Sequence, residues 1–386
     1  MDVEIYLDTL KHDIISIHLS DMKLKKLPDL SRFTNLRKLD CSNNFLTYLP
    51  NLNDKLEKLI CSNNKLTELP ELNQNLQELY CSDNKLKNLP LLNDKLEKLL
   101  CSNNQLTELP KLNHNLQYLQ CYSNKLKKLP KLNEKLEILD CFNNQLITLP
   151  YFNDNLSIIN CSYNLLKKLP KFNYKLSKLD CYYNQLKTLP HFNDNLTSLY
   201  CYHNQLITLP HFNDKLKELN CSQNKLVKLP LLNEKLEKLD CSHNQLRKLP
   251  LFNNHLQALN CSHNELSKTI SLNKNMNSLN CSYNRLISPP ILNDNLEIIN
   301  YNKNPIYYYI SGKDINIIKN KITIINNFKY LFYCIKFRDK FRNWLWIKVR
   351  EPKIKEYYDP KNLIKLLNEM NYEDDEVEFN HLINNW

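Results

Sequence analysis

Thirteen of the 14 cysteines fall at Cys41, Cys61, Cys81 and every twentieth residue to Cys281, and the last stands apart at Cys334. Cysteines can bridge, ligate zinc or attack as thiolates, and spacing decides among these. No CxxC pair occurs, which excludes zinc ribbons and thioredoxin-type redox motifs. One thiol per fixed interval is the pattern of a small buried hydrophobe, and free thiols belong in a reducing compartment. A column of thiols comes near disulfide reach, but the column is odd in number and points into a core, so extensive pairing is not expected. Cys334 lies between Tyr333 and Ile335 in an apolar stretch, which predicts a buried structural residue rather than a nucleophile. His203, His243 and His263 share one slot, two residues after a cysteine. Stacked intervals would bring His243 and His263 within about 5 Å, near Glu265. Two exposed imidazoles are too few for zinc, so neither metal nor cofactor is expected. No nucleophile–base–acid set rises above the periodic background, and the chain is read as non-enzymatic with no small-molecule substrate.

The chain has 386 residues but a single glycine, Gly312, where average usage gives about 27. Dinucleotide fingerprints, Walker loops and kinase glycine loops each need several glycines and are excluded. Asparagine, present 59 times, is expected to take the turns that require positive φ. The net charge of +11 is modest for this length and does not favour nucleic acid as a partner. The basic run Lys329 to Arg350, interleaved with aromatics, is read first as an amphipathic helix with a solvated charged face.

These residues need a scaffold, and a fixed 20-residue period supplies it. One unit, Leu56 to Asn73, reads LxxLxCxxNxLxxLPxLN. Leu59 and Cys61 alternate with Ile60 and Ser62, the period of a short strand with one buried face. Neighbouring units stack such strands in parallel about 4.8 Å apart. Leu66, Leu69 and Leu72 fill the core behind them, and Pro70 suits an extended return segment. Three residues after each cysteine slot stands Asn44, Asn64, Asn84, Asn104, Asn124, Asn144, Asn164, Asn184, Asn204, Asn224, Asn244, Asn264, Asn284 or Asn304. Its buried amide is expected to bond backbone of its own and the adjacent unit, a structural ladder along the stack. A second asparagine, at 53, 73 and so on to 293, reads as an Asx turn into the next strand.

The pattern resembles the leucine-rich-repeat family, whose LxxLxLxxNxL signature it matches with Cys in the third leucine slot. The 20-residue length and the LPxL ending are similar to the short repeats of secreted bacterial effectors. The resemblance spans roughly 14–305 and implies an α/β repeat class, mostly β. The expected architecture is a solenoid of about fifteen parallel strands with a polyproline or 3₁₀ convex side. Some such effectors carry a ubiquitin-ligase domain with a catalytic cysteine; the tail beyond 306 is too short to hold one. The composition and the tail segment FRDKFRNWLWIKVREP also resemble repeat proteins of giant DNA viruses, which would imply a cytoplasmic viral or host-directed role.

Three regions follow: an irregular N-terminal cap at 1–13, repeats at 14–305, and a C-terminal helical cap or small module at 306–386. FKYLFYCIKFRDKFRNWLWIKVR is its main predicted helix, with KNLIKLLNEM another after Asp359-Pro360. Under the capping reading, Phe341, Trp344 and Trp346 bury against the last repeats. The N-terminus has acids where a signal peptide needs a basic start, and no apolar run is long enough to span a membrane; a cytoplasmic, unsecreted protein, in host cytoplasm or a virion, is expected.

Outward strand positions line the concave face, where this architecture usually binds partners. The first repeats place Lys38, Asp40, Lys58, Glu78 and Lys98 there; the later ones place Asn220, Ser222, Asn260, Ser262, Asn280 and Ser282. Between them lie Tyr118, Tyr122, Phe142, Tyr163, Tyr182, Tyr183, Tyr200, Tyr202 and His203. A local aromatic patch of this kind predicts a protein-binding surface. The expected function is a protein–protein interaction scaffold. The alternatives are an adaptor joining a target to a second partner, such as ubiquitin machinery, through its C-terminal module, or a virion structural component.

Overall fold

A computed structural model describes residues 3–268, 270–311, 315–357, 359, 361 and 362. The chain divides into two compact units, Met1–Ile318 and Lys319–Trp386.

The first unit holds one sheet of 15 parallel strands in chain order. It runs from β1 (Ser16–His18) and β2 (Lys38–Asp40), then at every twentieth residue, to β15 (Ile298–Asn300). Each strand is three residues long, and beyond the first pair each residue faces its equivalent twenty positions on, as Lys58 faces Glu78. The first pair is offset by 22, with Ile17 opposite Leu39, because the N-terminal unit carries two extra residues. Strands are short because the chain turns into the left-handed region two residues after each cysteine slot, at Asn63 with φ 53°.

The core repeats as the strands do. Leu56, Leu59, Cys61 and Leu66 are buried, with Leu69 and Leu72 nearly so. Each such leucine contributes about 1.5–3 kcal/mol of transfer free energy. The cysteines from Cys41 to Cys281 are buried and unpaired. Burial raises their thiol pKa, to about 12 at Cys41, Cys81 and Cys201, which makes them inert packing atoms near neutral pH.

The asparagine ladder has the expected form. Asn164 Nδ2 donates to the carbonyls of Cys141, Cys161 and Ser162 at 3.1 Å each, and its Oδ1 accepts the Leu146 N–H at 2.9 Å. One side chain therefore ties two repeats through their backbones. The second asparagine does more than turn the chain. Asn113 Oδ1 accepts the Leu116 N–H at 2.9 Å while its Nδ2 donates to Leu96 O at 2.8 Å in the preceding repeat, so a second amide ladder runs along the other edge. The return segments carry no helical turn among the described residues. Phe152, Phe172, Phe192 and Phe212 replace leucine there and stack at 6.2–6.5 Å.

At the N-terminus, α1 (Val3–Asp8) replaces the irregular cap expected, with Leu7 and Phe33 fully buried and Arg32 paired to Asp8 at 2.8 Å. At the other end Tyr301 takes the cysteine slot, 3% exposed, followed by α2 (Tyr307–Ile310).

Beyond it run α3 (Ile315–Lys336), α4 (Arg338–Leu345), a π-helical turn (Trp346–Arg350) and α5 (Glu351–Tyr357). Here two expectations fail. Cys334 is exposed rather than buried, and Phe341, Trp344 and Trp346 stand 61%, 54% and 51% exposed. The physical reason is that no other helix of this unit covers these rings among the described residues. The predicted helix KNLIKLLNEM lies almost wholly outside the described residues. No described helix is long and apolar enough to cross a membrane.

Candidate protein-binding face

The exposed sheet face changes character along the stack, as the strand sequences do. Its first repeats are charged and paired: Glu78 bridges Lys58 at 2.7 Å and Lys98 at 3.4 Å. Its last repeats are polar and internally satisfied. Ser242 donates its N–H and its Oγ–H to Asp240, and Ser262 does the same to Asn260.

Between them the predicted aromatics form a continuous chain of ring contacts over five repeats. Tyr122 meets Phe142 edge-on at 6.5 Å, and Phe142 meets Tyr163 at 5.2 Å. Tyr163 stacks on Tyr183 at 4.3 Å, and Tyr183 on His203 at 3.9 Å. In a parallel row Tyr182 stacks on Tyr202 at 4.3 Å, and edge contacts of 5.8–6.1 Å tie the rows together. Tyr118 and Tyr200 lie on the same face outside the ring chain. Tyr200 instead donates its hydroxyl to Glu218, which also accepts from Lys238 Nζ at 2.8 Å. These bonds hold the Glu218 carboxyl below the usual range, Lys238 first and Tyr200 next. The same bond, then burial, pushes the Tyr200 phenol up to about 12.

The turn chemistry of this patch was not visible in composition. The positive-φ slot is the residue two after the cysteine, and asparagine does not fill it each time. Asn43, Asn63, Asn103 and Asn143 do, but Tyr163, Tyr183, His203, Gln223, His243, His263 and Tyr283 occupy it later, at φ 50–55°. The slot thus has two halves. In the first, small polar side chains hydrogen-bond along the stack, as Asn63 Nδ2 to Asn43 Oδ1 at 2.8 Å and Asn143 Nδ2 to Ser123 Oγ at 3.1 Å. In the second, planar groups stack.

A second ring block that sequence reasoning missed lies in that half. His243 stacks on His263 at 3.9 Å and His263 on Tyr283 at 4.0 Å. The signal was available, since Tyr283 occupies the histidine slot one period on. Glu265, the expected neighbour of the histidines, is engaged by Arg247 at 3.2 Å and Arg285 at 3.7 Å. Sequence reasoning also passed over Asp140 and Asp180, half-buried beside the aromatic patch. Burial raises both carboxyl pKa values, and the buried Oδ1 of Asp180 has no hydrogen-bond partner.

No protein-family model matches the chain, and no curated protein does. Solved structures do. YopM of Yersinia pestis, a leucine-rich effector protein, is 30% identical, with a TM-score of 0.64 over 75% of this chain and 88% of that one. The chain belongs to the leucine-rich-repeat proteins. YopM of Yersinia enterocolitica is also 30% identical, with a TM-score of 0.58 over 77% of this chain and 75% of that one. A leucine-rich-repeat protein of Leptospira interrogans is 26% identical, with a TM-score of 0.67 over 81% and 95%. These matches are bacterial and lend no support to the resemblance with giant-virus proteins. As in any leucine-rich repeat, the periodic positions of this chain build the scaffold, and the non-periodic ones on the sheet face differ from repeat to repeat.

Proposed function

We propose that this leucine-rich-repeat protein is a non-enzymatic scaffold that holds a protein partner on the aromatic section of its sheet face, from Tyr122 to His203. The observation that carries the reading is the unbroken ring chain confined to five repeats. Rigid tyrosines give large contact area at little cost in side-chain entropy, and anchors of this kind dominate binding energy at interfaces. Asp140 and Asp180 add a preference. A lysine or arginine of the partner, seated over the tyrosine rings, would gain cation–π attraction and neutralise a carboxylate that burial disfavours. Exposed aromatics at 328–346 favour the adaptor form of this reading, in which the helices bring a second ligand to the protein held by the repeats.

The test is affinity capture with the full chain, comparing wild type with the triple variant Tyr182→Ser, Tyr183→Ser, Tyr202→Ser, after circular dichroism shows both folded. Proteins retained by wild type are expected to be lost from the variant. An unchanged retained set on a folded variant removes the proposal.

A further inference from the structure

The helical unit contains a feature that the scaffold reading does not use. An open cavity of about 980 Å³ lies along the end of α3, α4 and the π-helical turn, at the upper end of the roughly 300–1,000 Å³ of ligand sites. Five rings line it: Tyr330, Tyr333, Phe337, Phe341 and Trp346. So do three guanidinium side chains, of Arg338, Arg342 and Arg350. Arg338 is held by Asp339 at 3.4 Å, whereas Arg342 and Arg350 form no ion pair among the described residues. The π-helical turn bears two of these lining residues, Trp346 and Arg350; its wide ring is closed by the Glu351 N–H on Trp346 O. Such turns are rare and occur often at functional sites. Between 319 and 357 there are eleven basic residues against three acidic ones.

We infer that this cavity binds single-stranded nucleic acid, with bases on the rings and phosphates on Arg342 and Arg350. Each component is met by the chemistry present. Unpaired bases offer π-faces that stack on aromatic side chains whatever the sequence, and guanidiniums neutralise the backbone beside them. A duplex hides those faces. An acidic peptide would satisfy the arginines but leave five rings without planar partners. A membrane surface calls for rings and cations on opposite sides of a helix, whereas here both line one concavity. The modest net charge of the whole chain had pointed away from nucleic acid; the excess of cations is concentrated in this unit.

The experiment uses the full chain and a fluorescein-labelled single strand of about twelve nucleotides at about 50–200 mM salt. Expected are a saturable rise in anisotropy, quenching of tryptophan fluorescence, and a log–log salt slope of about −1.4 to −2.1 for two or three phosphates at about −0.7 each. Arg342→Gln with Arg350→Gln should weaken binding roughly tenfold or more and flatten the slope by about 1.4. Trp346→Leu should remove most of the quenching and leave the slope unchanged, and a duplex of the same length should bind roughly tenfold more weakly. All three positions are solvent-facing, and circular dichroism checks the fold of each variant. The inference is overturned by no saturable binding at the lowest salt, by an affinity unchanged in the arginine variant, or by heparin or a poly-glutamate chain competing as well as the unlabelled strand.

Discussion

A tyrosine in the left-handed region costs about 1–2 kcal/mol, and Tyr163, Tyr183 and Tyr283 all stand there. Each ring stack returns about 0.5–1.5 kcal/mol. Tyr183 makes two, with Tyr163 and His203, so stacking and strain nearly cancel at that residue. Asparagine fills the same slot with little strain at Asn143 and three earlier positions. The rings are therefore not there for stability, which is why they point to binding. His263 gives this scale a pH dependence. Burial, and then the His243 charge beside it, lowers its pKa below the ordinary 6.5. A base whose folded pKa is depressed takes up its proton more readily when unfolded, so its contribution is full above 6.5 and is lost as pH falls through the window beneath. Thermal unfolding between about pH 7.5 and 5 should show a fall in midpoint that His263→Gln reduces. Equal pH dependence in both proteins would count against the paired-histidine account.

At the scale of the element, the repeat is held by its two amide ladders more than by its three-residue strands. Asn164→Ala would remove four hydrogen bonds and strand the buried Leu146 N–H. Leaving one buried backbone group unsatisfied costs about 1–3 kcal/mol, and the loss of ladder bonds brings the expected destabilisation to about 3 kcal/mol or more by urea unfolding. A change below about 0.5 kcal/mol, the ordinary surface value, would mean the ladder is ornamental. This level was the most legible in sequence. The cysteine column, the strand slots and the first ladder are each written once per period, so their burial followed from the repeat alone. The second ladder was half-read, since an Asx turn is local while the bond from Asn113 to Leu96 O crosses repeats. The positive-φ slot escaped because its residue type varies, and periodicity of conformation is invisible where periodicity of sequence is absent. Cys334 was misjudged for a different reason: an apolar helical stretch says that something should cover it, not that anything does.

For the whole molecule, a solenoid's stability is close to a sum over repeats and their interfaces. Exchanging outward residues in a few repeats should leave the rest of the stack standing, which separates scaffold from site more cleanly than in a globular domain. The central claim is that the rings from Tyr122 to His203 serve a partner rather than the fold. The most direct measurement replaces Tyr163, Tyr183 and His203 by Asn, extending the amide row of Asn43 to Asn143 through the ring section, and reads stability and partner capture on the same protein. The account predicts a stability within about 1 kcal/mol of wild type, because relief of backbone strain offsets lost stacking, together with loss of the captured partner. Full retention of the partner on this folded variant would contradict it.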